Sequence, residues 1–223
     1  MNPANKILEH NKEHNLQFNE KDHIYTILDG IKLDSVTTKL KDFFPFDAKK
    51  VAEELAERRG THAALILEEW RKIRDNGTYT HLLAEKICNG DKLCAEELEK
   101  AKHVVQFLKD HPNFQILDSE VRVFSKKYNI AGTVDLMLLN KENNKLYLLD
   151  WKTSNKEIEK DEHWSMAQGI LNELPHNKFY QYSMQVAIYS FILKEEYSIE
   201  IYDSLLVHLR NDQTYKVIEP TDL

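Results

Sequence analysis

Two cysteines, Cys88 and Cys94, are all that the 223-residue chain contains. They are too few for a disulfide framework or a four-cysteine metal site, and they read as ordinary reduced thiols. Long apolar runs are missing as well. Nothing approaches the roughly 18 apolar residues that cross a bilayer, and the opening "MNPANKILEHNKEH" has no apolar stretch of a secretion signal. A soluble, intracellular protein with no membrane partner is expected. Positive charge is also short: 30 lysines and arginines stand against 37 acidic residues, a formal net charge of −7. That excludes coating nucleic acid through bulk charge, but it leaves room for a local basic groove around an acidic, metal-loaded centre. No repeat, low-complexity tract or Gly/Ser/Pro-rich linker divides the chain, so one domain over 1–223 is expected. A hairpin and helices fill 1–112, and a sheet core fills 113–223. With 42% hydrophobic residues, one substantial core can be buried.

What is present comes in two textures. "HIYTILDGIKL" (23–33) reads as a small hairpin, with Asp29-Gly30 suited to a primed turn. Ser35 can cap a short helix, and Asp47 a longer one, "AKKVAEELAERRGTHAALILEEWRKIRD", which Gly60 bends. A further helix starts near Thr78 and stops at Gly90, and another, "AEELEKAKHVVQFLKD", ends before Pro112. Then "FQILDSEVRVF", "IAGTVDLMLL" and "KLYLLDWK" are short, apolar and β-favouring. After a long loop (153–178) come the helix "YQYSMQVAIYSFILKEEY" and two more strands, "YDSLLVHLR" and "TYKVIEP". The pattern predicts an α/β sheet with helices on its faces.

The stretch "GTVDLMLLNKENNKLYLLDWKTS" (132–154) carries the chemistry. A hairpin closed symmetrically around "NKENNK" opposes Leu139 to Leu146, and every opposed pair then sums to 285. Asp135 and Asp150 satisfy that sum, so their side chains share a face, about 5 Å apart. Lys152 lies on the same face by the two-residue alternation, while Trp151 points away into core. Two such carboxylates repel unless a hard cation joins them, and Mg²⁺ or Mn²⁺ favours their oxygens. Lys152 can then orient water or stabilise charge on a phosphate. The bland alternative is an exposed Asp-x-Lys pair on an edge strand.

Four motifs in order resemble those of the PD-(D/E)XK nuclease superfamily, in its RecB-like branch. They are Gly77-Thr78-Tyr79-Thr80-His81-Leu82-Leu83-Ala84-Glu85, Gly132-Thr133-Val134-Asp135, Asp150-Trp151-Lys152 and Gln185-Val186-Ala187-Ile188-Tyr189. A closer likeness, from about Leu33 to about Leu209, is to mitochondrial genome maintenance exonucleases and related viral or phage proteins. It includes "DSVTTKL" (with Ser35 and Thr37) and "LLDWKTS". The resemblance implies a restriction-endonuclease-like core, a central mixed β-sheet flanked by helices, with extra N-terminal helices packed over one side. It implies that His81 and the Trp151 carbonyl join Asp135 and Asp150 as metal ligands, that Glu85 supports His81, and that Gln185 and Tyr189 stand near Lys152 and the substrate. His62, in its own Gly-Thr-x-His context, competes with His81. Its downstream equivalent of Glu85 is Ile66, which favours His81. Glu120 is either a further active-site acid or a solvated strand residue. Gln181 is read as surface.

The implied function is Mg²⁺- or Mn²⁺-dependent hydrolysis of DNA, as an exonuclease on single-stranded or free-ended DNA in replication, repair or recombination. A structure-selective or site-specific endonuclease is the alternative. A catalytically silent DNA-binding module is an alternative of another class. No P-loop is visible, so unwinding would come from a helicase, polymerase or recombination partner. Two cysteines leave no iron–sulfur cluster of the kind some relatives carry. Ser35, Thr37, Arg58 and Arg59, with Lys39, Lys41, Phe43, Phe44 and Lys49, either line a DNA channel or form a solvated helix face over core aromatics.

Overall fold

An eight-stranded sheet organises the residues that the computed structural model describes, namely 2–20, 22, 24–161 and 165–221. At its centre lie β4 (Phe114–Ser125), β5 (Ile130–Asn140) and β6 (Lys145–Thr153), antiparallel neighbours built from the β-favouring runs. The hairpin keeps the symmetric register, from Asn140 opposite Lys145 to Leu136 opposite Leu149. One step further along lie Asp135 and Asp150. The chain returns through helix α7 (Lys178–Tyr197) to β7 (Asp203–Leu209), parallel to β6, and β8 (Tyr215–Ile218) closes that side antiparallel to β7. Parallel neighbours need a crossover, and α7 supplies it.

The two edges of β5 are shared unequally. β4 pairs along one edge from Ile130 to Asn140. On the other, β6 takes 136–140, and β3 (Ile31–Ser35) pairs in parallel with Ile130 and Ala131. Among the described residues no strand pairs with that edge at 132–135. The symmetric register of the hairpin therefore delivers Asp135 to an opening in the sheet rather than to a closed ladder. β3 in turn pairs with β2 (Ile24–Ile27). Between them Asp29 and Gly30 hold φ of 64° and 71°, as a primed turn requires. The expected hairpin span begins at His23, which lies outside the described residues.

Helices cover both faces. Helix α2 (Val36–Phe43) is capped by Ser35, whose Oγ accepts from Thr38 N at 3.1 Å, and α3 (Ala48–Arg59) by Asp47, which accepts from Lys50 N at 3.1 Å. The N-terminal helices do not lie over one side. Ile7 of α1 (Pro3–Glu13) and Val36 and Leu40 of α2 join Ile192 and Leu193 of α7 on one face, with Met137 and Leu148. Ala84 of α4 (Ala63–Cys88) and Val104 and Phe107 of α6 (Lys102–Asp110) cover the other face, with Leu136, Leu138 and Leu149. The central strands are apolar on both faces, so both must be covered.

Several boundaries differ from the sequence reading. Gly60 ends α3 in the left-handed region (φ 61°) rather than bending it. No helix starts at Thr78, because α4 runs unbroken through Asn76-Gly77. Gly77 is buried there, and a Cβ on it would stand 2.5 Å from Thr153 Oγ1 of β6. It permits close docking of helix on strand. The segment 95–110 divides at Ala101 into α5 (Ala95–Lys100) and α6. Helix α1 and strand β1 (Gln17–Asn19) are additional. Asn2 capping Ala4 N at 3.1 Å, followed by Pro3 at the first turn, was their readable signal.

Candidate active site

Asp135 and Asp150 are placed by β5 and β6 on the face that α7 covers. Asp135 Oδ2 accepts from the Trp151 amide at 2.7 Å, and His81 Nδ1 of α4 stands 3.4 Å from the same oxygen. Asp150 is buried, and its Oδ2 forms an ion pair with Lys152 Nζ but takes no well-directed hydrogen bond among the described residues. Lys152 Nζ donates to Gln185 Oε1 at 2.9 Å, Gln185 Nε2 donates to Tyr189 OH at 3.1 Å, and the ammonium lies 4.2 Å from the centre of the Tyr182 ring. Tyr189 packs under Gly132, where any Cβ would strike its ring. The motif glycine on β5 is thus required by the motif tyrosine on α7.

Glu120 sits in β4 at the step of the register that opposes Asp135, since Ser119 faces Leu136 and Val121 faces Val134. Its φ of 50° interrupts regular pairing at that step. It is partly exposed and lines the cleft with His81 and Asp135. Glu85 lies close enough to act on Glu120 by charge.

Burial and like charge set the proton affinities. Burial, reinforced by Asp135 and Glu85, pushes Glu120 up to about 7. Burial, opposed by Lys152 and aided by Asp135, raises Asp150 to about 6. Asp135 is lowered: burial works against its charge, and the neighbouring His81, Lys152 and Trp151 amide outweigh it. His81 is raised, because Asp135 overcomes its burial. Lys152 is raised by Asp150 in the same way, against its burial. Burial also takes Cys88, a free thiol like Cys94, up to about 12.

His81, Glu120, Asp135, Gln185 and Tyr189 line a cleft of about 1050 Å³. Ser35 and Thr37 line it, as do Phe18, Tyr25, Phe46, Trp70, Arg74, Lys156, Lys178 and Tyr182. Arg58 and Arg59 do not. Both are exposed at the end of α3, and Arg59 pairs with Glu69 at 3.2 Å. Lys39 pairs with Asp34 at 3.0 Å, and Phe44 is core. His62 is exposed before α4 and is not among the cleft residues. Gln181 is partly exposed, and its Oε1 accepts from Lys178 Nζ at 3.0 Å. The Trp151 side chain is core, edge-on to Phe107 at 5.3 Å. Tyr182, Lys178, Trp70 and Arg74 escaped the sequence reading. Tyr182 and Lys178 stand at helical spacing from Gln185, which is the one signal that could have found them.

A family model described as the PD-(D/E)XK nuclease superfamily matches residues 42–219. No curated protein matches the chain at a significant level. Among solved structures, one titled "Crystal structure of SSO0001" is similar at 18% identity and a TM-score of 0.35, over all of this chain and 80% of that one.

Proposed function

The chain belongs to the PD-(D/E)XK nuclease superfamily, and on that premise we propose that it is a divalent-cation-dependent DNA exonuclease acting on single-stranded or free-ended strands. The observation that carries this reading is that Asp135 and Asp150 stand close together one step beyond the Leu136–Leu149 pair of β5 and β6, with Lys152 fixed between Asp150 and Gln185. The order of its motifs supports a reading within the RecB-like branch, similar to the mitochondrial genome maintenance exonucleases.

The donor set fits a hard cation. Asp150 Oδ2 is a buried carboxylate oxygen with no directed hydrogen bond, and two neighbouring carboxyls, Asp150 and Glu120, are raised in pKa. Among the described residues no three His, Cys, Asp or Glu side chains form a ready cage. Mg²⁺ characteristically takes one or two carboxylates and completes its shell with water and substrate phosphate. Asp135, Asp150 and the Trp151 carbonyl would hold it, with His81 at the side and an imidazole nitrogen favouring Mn²⁺. A bound cation supplies Lewis acidity and charge neutralisation there.

The protein's own groups do the rest. Lys152 offers N–H donors where charge develops on the phosphate, and its rotamer is fixed from three sides by Asp150, Gln185 and Tyr182. Asp135 keeps its charge because the Trp151 amide and His81 stabilise it. Rings on several elements lining the cleft, Phe18 stacked on Tyr25 at 4.4 Å and Phe46 against Trp70 at 5.7 Å, offer surfaces for unpaired bases. Unwinding of duplex DNA would fall to a partner.

The test is a digestion series with end-labelled linear and circular, single- and double-stranded DNA, in Mg²⁺, Mn²⁺ or chelator. Metal-dependent release of short products from linear single strands, with circles intact, is expected. Cutting of circles would replace the exonuclease by a structure-selective endonuclease, and equal cutting in chelator would end the metal-dependent reading.

A further inference from the structure

Helix α7 presents four residues to the cleft: Lys178, Tyr182, Gln185 and Tyr189. Their spacings of four, three and four make one stripe along the helix. The last two belong to the chemistry around Lys152. The first two form a further turn of the same stripe with a different environment.

Two cations stand against the Tyr182 ring. Lys152 Nζ lies 4.2 Å from its centre and Lys178 Nζ 5.6 Å. Lys178 is additionally held through Gln181 Oε1 at 3.0 Å. Lys152 pairs with Asp150 beneath the cleft and Arg74 pairs with Asp75 on its wall. Among the described residues Lys178 has no carboxylate within ion-pair distance, although acids outnumber bases in the chain. The charged neighbour that acts on it is another cation, Lys152. Lys156, also lining the cleft, is exposed like Lys178 and likewise has no carboxylate within ion-pair distance among the described residues. The cleft therefore runs from an acidic end, Glu120 and Asp135, to an end with an uncompensated positive charge. Lys178 precedes Gln185 by seven residues, about 10 Å along a helix axis. An offset of two helical turns suits a phosphate further along a strand than the one that Lys152 serves.

We propose that Lys178 is a phosphodiester-binding subsite that takes a backbone phosphate flanking the scissile one, and that Tyr182 is a positioning residue whose ring seats Lys178 and Lys152 on one support. The assignment rests on the nuclease reading above and extends it by one turn of α7. The ligand is the anionic backbone and not a base, so the subsite is indifferent to sequence.

Two measurements separate this from the nuclease reading. The first is the salt dependence of binding to a labelled single-stranded oligonucleotide in chelator, which needs no catalysis. Each phosphate contact contributes about 0.7 to the slope of log K against log salt for single strands. K178Q is expected to lower the slope by about that amount and weaken binding about fivefold at low salt, whereas K50Q, on the exposed side of α3, changes neither. The second is steady-state cleavage: K178Q raises KM more than it lowers kcat. Y182L lowers kcat and raises KM together, and Y182F restores most of that loss because the ring is kept. An unchanged salt slope in K178Q overturns the subsite. Y182F as impaired as Y182L overturns the role of the ring. Metal-dependent cleavage absent from the unaltered protein, with the slope change still present, would defeat the nuclease reading and leave the anion site standing.

Discussion

At the scale of single residues, Lys152 and Glu120 make opposite predictions. Lys152 is held by Asp150, Gln185 and the Tyr182 ring, so K152A removes a preorganised donor from the reaction centre. Cleavage is expected to fall by about 100-fold or more, with DNA binding in chelator kept, and loss of binding in parallel would show a folding defect instead. Glu120 is raised to about 7 by burial, Asp135 and Glu85. Below its unfolded pKa both states carry the proton. Between there and about 7 the folded state keeps a proton that the unfolded chain has released, so stability falls as pH rises, and the whole penalty is present above it. E120Q should therefore raise the melting temperature of the metal-free protein more at about pH 8 than at about pH 5. An equal shift at both would show that the carboxyl is not desolvated. The sequence exposed Asp135, Asp150, Lys152 and His81 because alternation along strands and spacing along a helix aim them. It left Glu120 undecided, since a single acid on a strand has the same local signature whether it faces a cleft or solvent. Tyr182 and Lys178 acquire meaning from what β6 brings opposite them, and nothing local encodes that.

At the scale of elements, the hairpin was legible and the long helix was not, for one physical reason. Symmetric closure around "NKENNK" is local, so the β5–β6 register follows from the sequence alone. Asn76-Gly77 also looks local, a helix break by every turn rule, yet the outcome is decided by distant Thr153, against which the glycine lies. The same docking brings His81, one turn later, within 3.4 Å of Asp135. A four-corner cycle tests it. Alanine in place of an interior helix glycine gains about 1 kcal/mol of propensity, but here a Cβ meets the threonine side chain. G77A is expected to stabilise the T153A background and to gain little or nothing in the unaltered one, a coupling of about 1 kcal/mol in urea melts. If G77A stabilises both backgrounds alike, the glycine is not there for close approach.

At the scale of the whole molecule, stability and function divide along the chain. The two large clusters on either face of the sheet hold β4 to β7 together with α1, α2, α6 and α7. Helix α3 packs chiefly on the first half of α4, around the small separate cluster of Ala52, Ala56 and Ile66 with Leu55, Ala63 and Trp70. That arm supplies Trp70, Ile73 and Arg74 to the cleft, beside the exposed ring of Phe46. No helix among the described residues is long and apolar enough to cross a membrane, and Leu65 and Leu67 of the arm are exposed. A unit with so little buried apolar surface opens at lower free energy than the sheet it stands on. Amide hydrogen exchange should therefore be markedly faster over 50–75 than over β5 and β6. The second half of α4, clamped at Gly77 and Ala84, should behave like the sheet. Because the inner side of the arm faces the cleft, a single-stranded oligonucleotide added in chelator should slow exchange in 66–76 and leave β5 unchanged. Protection of the arm equal to that of β5 without DNA would make it part of the rigid frame. Protection that does not respond to DNA would mean the strand takes a path that avoids Trp70 and Arg74.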